Sequence, residues 1–310
     1  MLEINKKRYR DLDSYYKKIY HKKIIKLPLD GGFSCPNRDG TLSREGCLFC
    51  SDRGSGEWSL KNEESIKKQI AFQKKRLAKE GRDEAYIAYF QNFTNTYAKP
   101  SLMRKLFESA IAEEDVIGLS LATRADCLQE DVLEMLEDLN TKTDLTVELG
   151  MQSVNEDSIR LINRGYDHKI FDRGLLELKK RQIKTIIHII VGLPFEDEKD
   201  FLNDIDYINR KRVWGIKIHN LYVEKDSRIE KFYKKNKISY TMTQEDYVNI
   251  VVSMLRRLDS KIIVNRLTGD GIREKISFPL WSKNKGKILT SIDKMMKDNN
   301  YMQGDLCKKI

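Results

Sequence analysis

Three cysteines lie close enough together in the chain to act as one set of ligands. Eleven residues separate Cys35 from Cys47, and two residues separate Cys47 from Cys50. The loop between them is rich in Gly, Asn and Asp, which favour tight turns, so it can fold back and bring the three sulfurs together. A Cys-x-x-Cys pair taken alone also fits a redox motif or half of a zinc site.

The number of nearby thiolates bears on which metal they hold. Structural zinc takes four ligands, and no second cysteine pair follows at a zinc-ribbon spacing. Cys127 and Cys307 are distant and isolated, and His21 as a fourth ligand would be a lone histidine. Three thiolates on a cubane iron–sulfur cluster leave one iron open, which indicates chemistry rather than structural support. The spacing therefore favours a catalytic cluster, with a metal-stabilised loop as the alternative.

The elements that position these cysteines follow a repeating pattern, in which short β-rich runs alternate with helical patterns. Candidate strands are 24–29, 85–91, 116–121, 144–149, 184–191 and 214–221. Candidate helices lie near 62–79, 100–112, 129–139, 155–163, 168–181 and 197–211. This alternation predicts parallel βαβ units in an α/β fold, either an open doubly wound sheet or a partial barrel. Both arrangements place their ligand sites at the carboxyl ends of the strands.

Positive charge is concentrated at the two ends of the chain. The 310 residues carry a net charge of +10, of which residues 1–30 hold +5 and residues 261–310 hold +6. Either the surface is generally lysine-rich, or both ends fold onto one face that attracts a polyanion such as nucleic acid. Four tyrosines near the N-terminus suit stacking on bases, and they equally suit the packed face of an amphipathic helix. They are Tyr9, Tyr15, Tyr16 and Tyr20.

Composition argues against membrane and secreted proteins. The longest apolar stretch, 186–194, is far too short to span a bilayer, and the first residues lack the apolar core of a secretory signal. Five cysteines are an odd number and too few for a disulfide framework in a chain of this length. We therefore predict a cytoplasmic protein with no membrane partner.

Further motifs follow the cysteine loop at strand ends, and an aromatic residue, Phe49, directly precedes the third cysteine. The motifs span 89–97, 120–127, 147–153, 163–165, 188–194, 266–271 and 279–282. With the cysteine loop, this ordered set resembles the radical S-adenosylmethionine (radical SAM) superfamily. The long first gap departs from the common Cys-x3-Cys-x2-Cys motif and is typical of the elongator-related subgroup. The sequence is most similar to the stand-alone members of that subgroup, which include the MnmL-type tRNA wobble-uridine enzymes.

The resemblance implies a fold and two cofactors. The fold is a partial (βα)6 barrel within a single domain, 1–310, whose core is about 24–222. A basic segment, 1–23, precedes this core, and a C-terminal cap, about 223–310, follows it. Cys35, Cys47 and Cys50 would hold a 4Fe–4S cluster whose open iron binds S-adenosylmethionine. An electron from a donor such as flavodoxin or ferredoxin would then release a 5′-deoxyadenosyl radical.

The resemblance also implies S-adenosylmethionine contacts, each with a structural alternative. The methionine ammonium would be bound by side-chain acceptors at the end of the second strand, namely Gln91, Thr94 and Asn95. The alternative is that these residues form a polar turn at a strand end. Gln152 and Arg164 follow the fourth strand, where a guanidinium can clamp the methionine carboxylate or form a surface ion pair. His188 would reach the adenosine, or be a core histidine, and Gly192 would allow close backbone approach to a ligand or form a turn. The family's Glu is replaced by Ala122, and its small residue after Gly-Leu-Pro by Phe195, so adenosine contacts must differ.

The substrate implied by the resemblance is tRNA, in which the 5-carboxymethylaminomethyl group of the wobble uridine is remodelled toward aminomethyl. Trp281 would stack a flipped base or anchor the core. Cys127, at the end of the third strand, would act near the substrate or be an ordinary buried cysteine. One alternative is a radical enzyme for a small molecule or peptide, and another is a non-catalytic, metal-stabilised nucleic-acid-binding protein. The candidate substrate-binding residues are Asp126, Arg266, Asp270, Arg273, Trp281 and Lys285.

Overall fold

The computed structural model describes residues 7–54, 56–60, 64–79 and 81–308. Seven parallel strands form the main sheet, a half-barrel in the order β1-β2-β3-β4-β5-β6-β8. They are β1 (Lys23–Leu29), β2 (Glu84–Phe90), β3 (Val116–Thr123), β4 (Asp144–Gln152), β5 (Lys184–Val191), β6 (Gly215–Asn220) and β8 (Ile263–Arg266). A small antiparallel pair consists of β7 (Val223–Glu224) and β9 (Ile276–Phe278).

The helices connect successive strands and cover the sheet. They are α1 (Leu12–Tyr20), α2 (Ile66–Leu77), α3 (Pro100–Ile111), α4 (Glu130–Lys142), α5 (Glu156–Leu161), α6 (His168–Lys180), α7 (Glu198–Lys211), α8 (Arg228–Lys235), α9 (Gln244–Arg257) and α10 (Lys285–Asp298). The predicted helix at 62–79 is α2, and residues 61–63 lie outside the described ranges. Among the described helices, none combines the length and the apolar composition that a membrane crossing requires.

The six predicted strands are all present, and the α/β partial-barrel prediction is confirmed. The structure adds a seventh, β8, from the segment that the sequence analysis assigned to a C-terminal cap. This strand has only four residues, Ile-Val-Asn-Arg, which is too short to show a recognisable period. The fold therefore uses the C-terminal segment to extend its sheet as well as to cover it.

Polar capping residues mark the starts of two helices, α5 and α7. The side chain of Asn155 accepts hydrogen bonds from the backbone N–H groups of Asp157 and Ser158, as expected for a helix beginning there. Asp197 and Asp200 form a reciprocal capping box at the start of α7. These caps end the loops after β4 and β5, and so set where the chain leaves the carboxyl edge of the sheet.

The two basic ends of the chain meet along β8. Arg10 O accepts a hydrogen bond from Val264 N at 2.8 Å, and Arg10 N donates to Gln303 Oε1 at 2.8 Å. Helix α1 then crosses the amino-terminal ends of the strands, where Tyr16 is buried and Tyr20 Oη donates to Asp144 Oδ2 at 2.7 Å. The tyrosines of this helix are therefore packing residues rather than an exposed surface for bases.

We predict that Gln303→Ala destabilises the junction between the two ends. Gln303 is 3% exposed, and its Nε2 also donates to Asp259 O and Ile262 O, each at 2.8 Å. Losing three buried hydrogen bonds should lower the free energy of unfolding by about 3 kcal/mol, measured by urea denaturation. Gln129→Ala, at an exposed glutamine, is the control and should change it by less than about 0.5 kcal/mol. Equal effects of the two substitutions would contradict this account of the junction.

Candidate active site

A cavity lies at the carboxyl ends of the parallel strands and reaches down into the half-barrel. It encloses about 1260 Å³ when the space of its open mouth is included. Cys35, Cys47 and Cys50 all line it. The structure therefore brings together the three residues whose spacing first suggested chemistry.

The cysteine loop is held in shape by its own hydrogen bonds. Cys35 O accepts from the backbone N–H groups of Arg38 and Asp39 at 2.8 and 3.1 Å, and Cys50 N donates to Cys47 O at 3.1 Å. The guanidinium of Arg38 donates to Ser51 O at 2.8 Å and so ties the start of the loop to its end. The turn-forming composition of the loop thus folds it back as expected.

A second brace joins the cysteine loop to the turn between α5 and α6. Asn37 Nδ2 donates to Asn163 O at 2.6 Å, and Asn163 Nδ2 donates to Gly46 O at 2.9 Å. Gly165 has a φ of 85°, and a Cβ at this position would lie 3.0 Å from Asn37 Oδ1. The Asn163-Arg164-Gly165 motif therefore has a physical role, which is to position the loop that carries the cysteines.

Two of the predicted S-adenosylmethionine residues face the cavity from the end of β2. Thr94 is fully buried, and its Oγ1 has no hydrogen-bond partner among the described residues, so it is free to accept a ligand. Gln91 also lines the cavity. Asn95 does not line it, because its Nδ2 is turned toward the carbonyls of Phe90, Asn92 and Ala122 and joins the ends of β2 and β3.

Gln152 lines the cavity from the end of β4 in a left-handed backbone conformation, with φ of 69°. Such a conformation is uncommon for a residue other than glycine, and it coincides with a register shift between β4 and β5. A Cβ on Gly150 would lie 2.6 Å from Gln152 Nε2, so this glycine leaves room for the glutamine side chain. Strained backbone of this kind concentrates at functional sites and aims the side chain at the cavity.

Arg164 also reaches the cavity, but its donors are largely committed to the protein. It is 2% exposed, and it donates to Met151 O at 2.8 Å and to Tyr166 O at 3.1 Å. Its guanidinium also lies 4.3 Å from the centre of the Tyr166 ring. This geometry favours a residue that supports the end of β4, and its contact with a methionine carboxylate stays a prediction.

Gly192 and Phe195 both lie away from the cavity. Gly192 has a φ of 95°, and its close neighbour is Tyr240 Oη, which would lie 2.8 Å from a Cβ. Gly192 does not line the cavity, so the close approach that it permits is to another part of the chain. Phe195, which replaces a small family residue, is 77% exposed and does not enter the cavity.

Glu148 is the centre of a buried polar network on the floor of the cavity. Its Oε1 accepts from Lys26 Nζ at 2.6 Å and from Ser120 Oγ at 2.8 Å. Its Oε2 has three partners, which are Tyr89 Oη at 2.9 Å, His188 Nε2 at 2.8 Å and Lys217 Nζ. His188 is thus engaged with Glu148, and its contact with adenosine stays a prediction.

Charges within this network set the protonation of its members. Burial opposes the charge of Glu148, but the ammonium groups of Lys217 and Lys26 outweigh burial and hold the pKa of this carboxyl well below its usual range. Burial lowers the pKa of Lys217 to about 7, while Lys26 and Arg266 add to the effect and Glu148 opposes it. Burial and the Lys217 ammonium lower the pKa of His188 to about 4, so its imidazole is neutral at pH 7. The neutral ring therefore donates its Nε2 proton to the ionised Glu148.

Sequence patterns did not predict this network, although the strands contain a signal for it. Glu148, Lys26 and Lys217 are charged residues in the interior of their strands, where the neighbouring positions are mostly apolar. Parallel strands are buried on both faces, so a charge within such a run must find a partner in the interior. The sequence does not show which charges pair with one another, because Lys26, Glu148 and Lys217 come from three strands that are far apart in the chain.

Of the predicted substrate-binding residues, Arg266 is the one that lines the cavity. The others lie outside it. Asp126 pairs with Arg124 at 2.8 Å, and Lys285 Nζ pairs with Asp270 Oδ2 at 3.1 Å. Arg273 is exposed. Trp281 donates its Nε1–H to Met242 O at 3.0 Å, and the centre of its ring lies 5.2 Å from the centre of the Tyr247 ring. Trp281 is therefore a core anchor in this structure, and the buried Cys127 lies outside the lining.

Comparison with known proteins places this site in a family. Residues 40–208 match the model described as the Radical SAM superfamily, and residues 213–298 match the Radical_SAM C-terminal domain. The first match alone covers more than half of the 310 residues. The chain belongs to the radical SAM superfamily. The family that the cysteine loop and strand-end motifs resemble is thereby confirmed.

Individual radical SAM relatives show the extent of the similarity. The chain is 40% identical to the protein YtqA of Bacillus subtilis over 304 residues, covering 98% of this chain and 94% of that protein. Elongator complex protein 3 of Drosophila melanogaster is 29% identical over 151 residues, 47% of this chain and 25% of that protein. The solved structure of the archaeal Methanocaldococcus infernus Elp3 has a TM-score of 0.67 at 15% identity, covering 90% of this chain and 64% of that chain.

As a radical SAM enzyme, the chain uses a 4Fe–4S cluster and S-adenosylmethionine as cofactors, and its cavity fits them. The described residues contain no group of three His, Cys, Asp or Glu side chains that converges on a single metal ion. Burial raises the pKa of Cys50 to about 12, with Cys47 adding to the effect, so these thiols need a positively charged occupant in order to ionise. Above them, the unpartnered hydroxyl of Thr94 and the strained Gln152 offer polar contacts for S-adenosylmethionine.

We predict that Cys47→Ala abolishes cluster assembly, because three thiolates are the minimum set that holds a cubane with one open iron. Iron and sulfide content and the visible spectrum after anaerobic reconstitution measure the result. Cys307→Ala is the matched control, since Cys307 lies outside the cavity, and it should retain a full cluster. A four-iron cluster retained in Cys47→Ala would refute the ligand assignment.

We also predict that Gly165→Ala weakens the brace on the cysteine loop. The methyl group would press against Asn37 Oδ1 in addition to straining the positive φ, so the reconstituted cluster should be lost several-fold faster to a chelator. Gly81→Ala isolates the contact, because Gly81 has a similar φ of 72° but open space around it. If both variants lose the cluster at the same rate, backbone strain alone explains the effect and the brace has no role.

Proposed function

We propose that this radical SAM enzyme modifies tRNA at the wobble uridine and remodels a 5-carboxymethylaminomethyl group toward aminomethyl. The resemblance to the elongator-related enzymes suggests the substrate, and one structural observation carries the proposal. The cysteine-lined cavity continues into a second cavity, and the two share Tyr89, Gln91, Lys217 and Arg266. The second cavity is lined by β1 and β8, the two edge strands, and so opens at the side of the half-barrel.

The rim of this side opening carries an aromatic ring. Trp58 lines the second cavity and is 42% exposed, with its Nε1–H donated to Asp270 O at 3.1 Å. The Arg76 guanidinium lies 5.9 Å from the ring centre and also lines the opening. An exposed indole beside a guanidinium is suited to stacking an unpaired base. In this proposal Trp58 takes the stacking role first considered for Trp281.

Positive charge around the same opening supports an RNA substrate. Lys26, Arg76 and Arg266 line the second cavity, against the single carboxylate of Asp270 among its described lining residues. The joined basic ends of the chain add to this field along β8. Phosphates would be drawn to such a surface, and binding should weaken as salt is raised.

Each part of the cavity would have a separate task during the reaction. When bound, the cluster and S-adenosylmethionine supply a 5′-deoxyadenosyl radical that can abstract a hydrogen from an unactivated C–H bond. Cys35, Cys47 and Cys50 hold the cluster, while Thr94 and Gln152 orient the bound S-adenosylmethionine. The required electron would come from a partner such as flavodoxin or ferredoxin.

The decisive experiment measures 5′-deoxyadenosine formed by the anaerobically reconstituted enzyme with and without tRNA, together with a mass profile of the tRNA nucleosides. We expect a tRNA-dependent rise, loss of 5-carboxymethylaminomethyluridine and gain of the aminomethyl form. A rise that is indifferent to tRNA would overturn the tRNA proposal and direct the search to small molecules and peptides.

We predict that Trp58→Ala lowers the tRNA-dependent rate about tenfold, because one stacked base contributes about 1–3 kcal/mol. The small amount of 5′-deoxyadenosine formed without tRNA should not change. Phe72→Ala is the control, since Phe72 is a 45% exposed aromatic residue on α2 that does not line either cavity. Equal rates in the Trp58 and Phe72 variants would contradict a stacking role for Trp58.

A further inference from the structure

Two cations face each other on the floor of the cavity. Lys217 of β6 and Arg266 of β8 are register partners, and both side chains line both cavities. Lys217 is only 4% exposed. Like charges directly opposite each other on neighbouring strands destabilise a sheet. An anion bound between the two side chains would relieve this repulsion. Stable placement of the pair therefore requires a nearby negative charge, either from the protein or from a ligand.

The protein does not supply enough of it. Among the described residues that line the cysteine cavity, Glu148 is the only carboxylate. Both of its oxygens are already filled, one by Lys26 and Ser120 and the other by Tyr89, His188 and Lys217. Lys26 and Lys217 thus share one carboxylate, which has no capacity left to pair with Arg266 as well.

Arg266 is left without a partner of its own. No hydrogen bond or ion pair joins its guanidinium to any residue that the structure describes, although it lies close enough to Lys217 and His188 to lower the pKa of each. Asp270, the carboxylate of the adjoining cavity, is paired with Lys285 at 3.1 Å. The guanidinium therefore keeps a donor set that matches a planar carboxylate in two parallel hydrogen bonds.

We propose that Lys217 and Arg266 form a subsite for a carboxylate on the substrate. This rests on the proposed function, because the 5-carboxymethylaminomethyl group ends in a carboxylate and the aminomethyl product does not. Glu148 and Tyr89 are positioning residues that accept hydrogen bonds from the Lys217 ammonium and leave its third N–H group for the ligand.

The shape of the site favours a carboxylate over a phosphate of the RNA backbone. A phosphodiester carries a sugar on each side and cannot enter a buried floor alone. A carboxylate at the end of a short side chain can extend from a base held at the opening. The subsite would therefore recognise the part of the modification that is removed, and it would fix the neighbouring methylene carbons within the cavity.

The test compares two anticodon stem-loop RNAs that differ only at the wobble position, which holds 5-carboxymethylaminomethyluridine or 5-aminomethyluridine. Dissociation constants are measured anaerobically with the cluster-loaded enzyme and S-adenosylmethionine, without reductant. We expect the natural protein to prefer the carboxylate-bearing RNA by about tenfold, as for a charge-assisted pair of hydrogen bonds. Arg266→Gln should lose this preference, while Arg266→Lys should keep part of it.

Arg173→Gln is the matched control, since it removes one positive charge from an exposed position on α6. It should retain the preference. A structural role for Arg266 would show in the melting temperature, which we expect Arg266→Gln not to lower, because the substitution removes repulsion from Lys217. A marked fall in melting temperature, or a preference unchanged in Arg266→Gln, would overturn the subsite.

The two free nucleosides repeat the comparison and separate this inference from the proposed function. Binding of both RNAs with equal affinity would overturn the carboxylate subsite and leave the tRNA proposal standing. An Arg266-dependent preference among the nucleosides, with no binding of either RNA, would support the subsite and overturn tRNA as the substrate. Failure of every probe to bind would contradict both.

Discussion

A single buried carboxylate organises the interior of this half-barrel. Glu148 lies on β4, and each of the other five strands from β1 to β6 contributes a side chain that hydrogen-bonds to it. The network therefore joins elements that are distant in the chain. Removing one partner of a buried charge commonly costs about 3–5 kcal/mol, because the remaining charge is left without compensation. The inward-facing positions of these strands are therefore constrained as a group. The strands and the partners they contribute are β1 with Lys26, β2 with Tyr89, β3 with Ser120, β5 with His188 and β6 with Lys217.

This network divides the cavity into two regions with different physical character. Above it, the cysteine loop is fixed by backbone turns and by the brace through Asn37 and Asn163. The lower region, which contains the network itself, carries more positive than negative charge on buried side chains, where electrostatic interactions are strong. The upper region suits a cofactor that needs rigid ligands, and the lower region suits a charged part of a substrate. The side opening between the edge strands connects the lower region with the surface.

Sequence patterns predicted what depends on local order. The six longer strands, the start of the helix near Asn155 and the cysteine set all follow from sequence patterns or spacing, and the structure contains each of them. What could not be predicted depends on which side chains meet across the barrel. The hydrogen bonds of Arg164 to the carbonyls of Met151 and Tyr166 are one example, because these acceptors come into range only when the turn closes. The same limit hid the partners of Trp281 and Glu148.

The contact between Arg10 and Val264 has a consequence for how the chain is made. A ribosome releases the N-terminal residues long before β8 exists, so the edge of the sheet that β8 completes stays open during most of synthesis. Pairings between residues so far apart form slowly, because a long loop must close before the contact is gained. During that interval the nascent protein exposes the unpaired edge of β6. Translation speed and chaperone access over the last fifty residues should therefore influence how much of this enzyme reaches its native state.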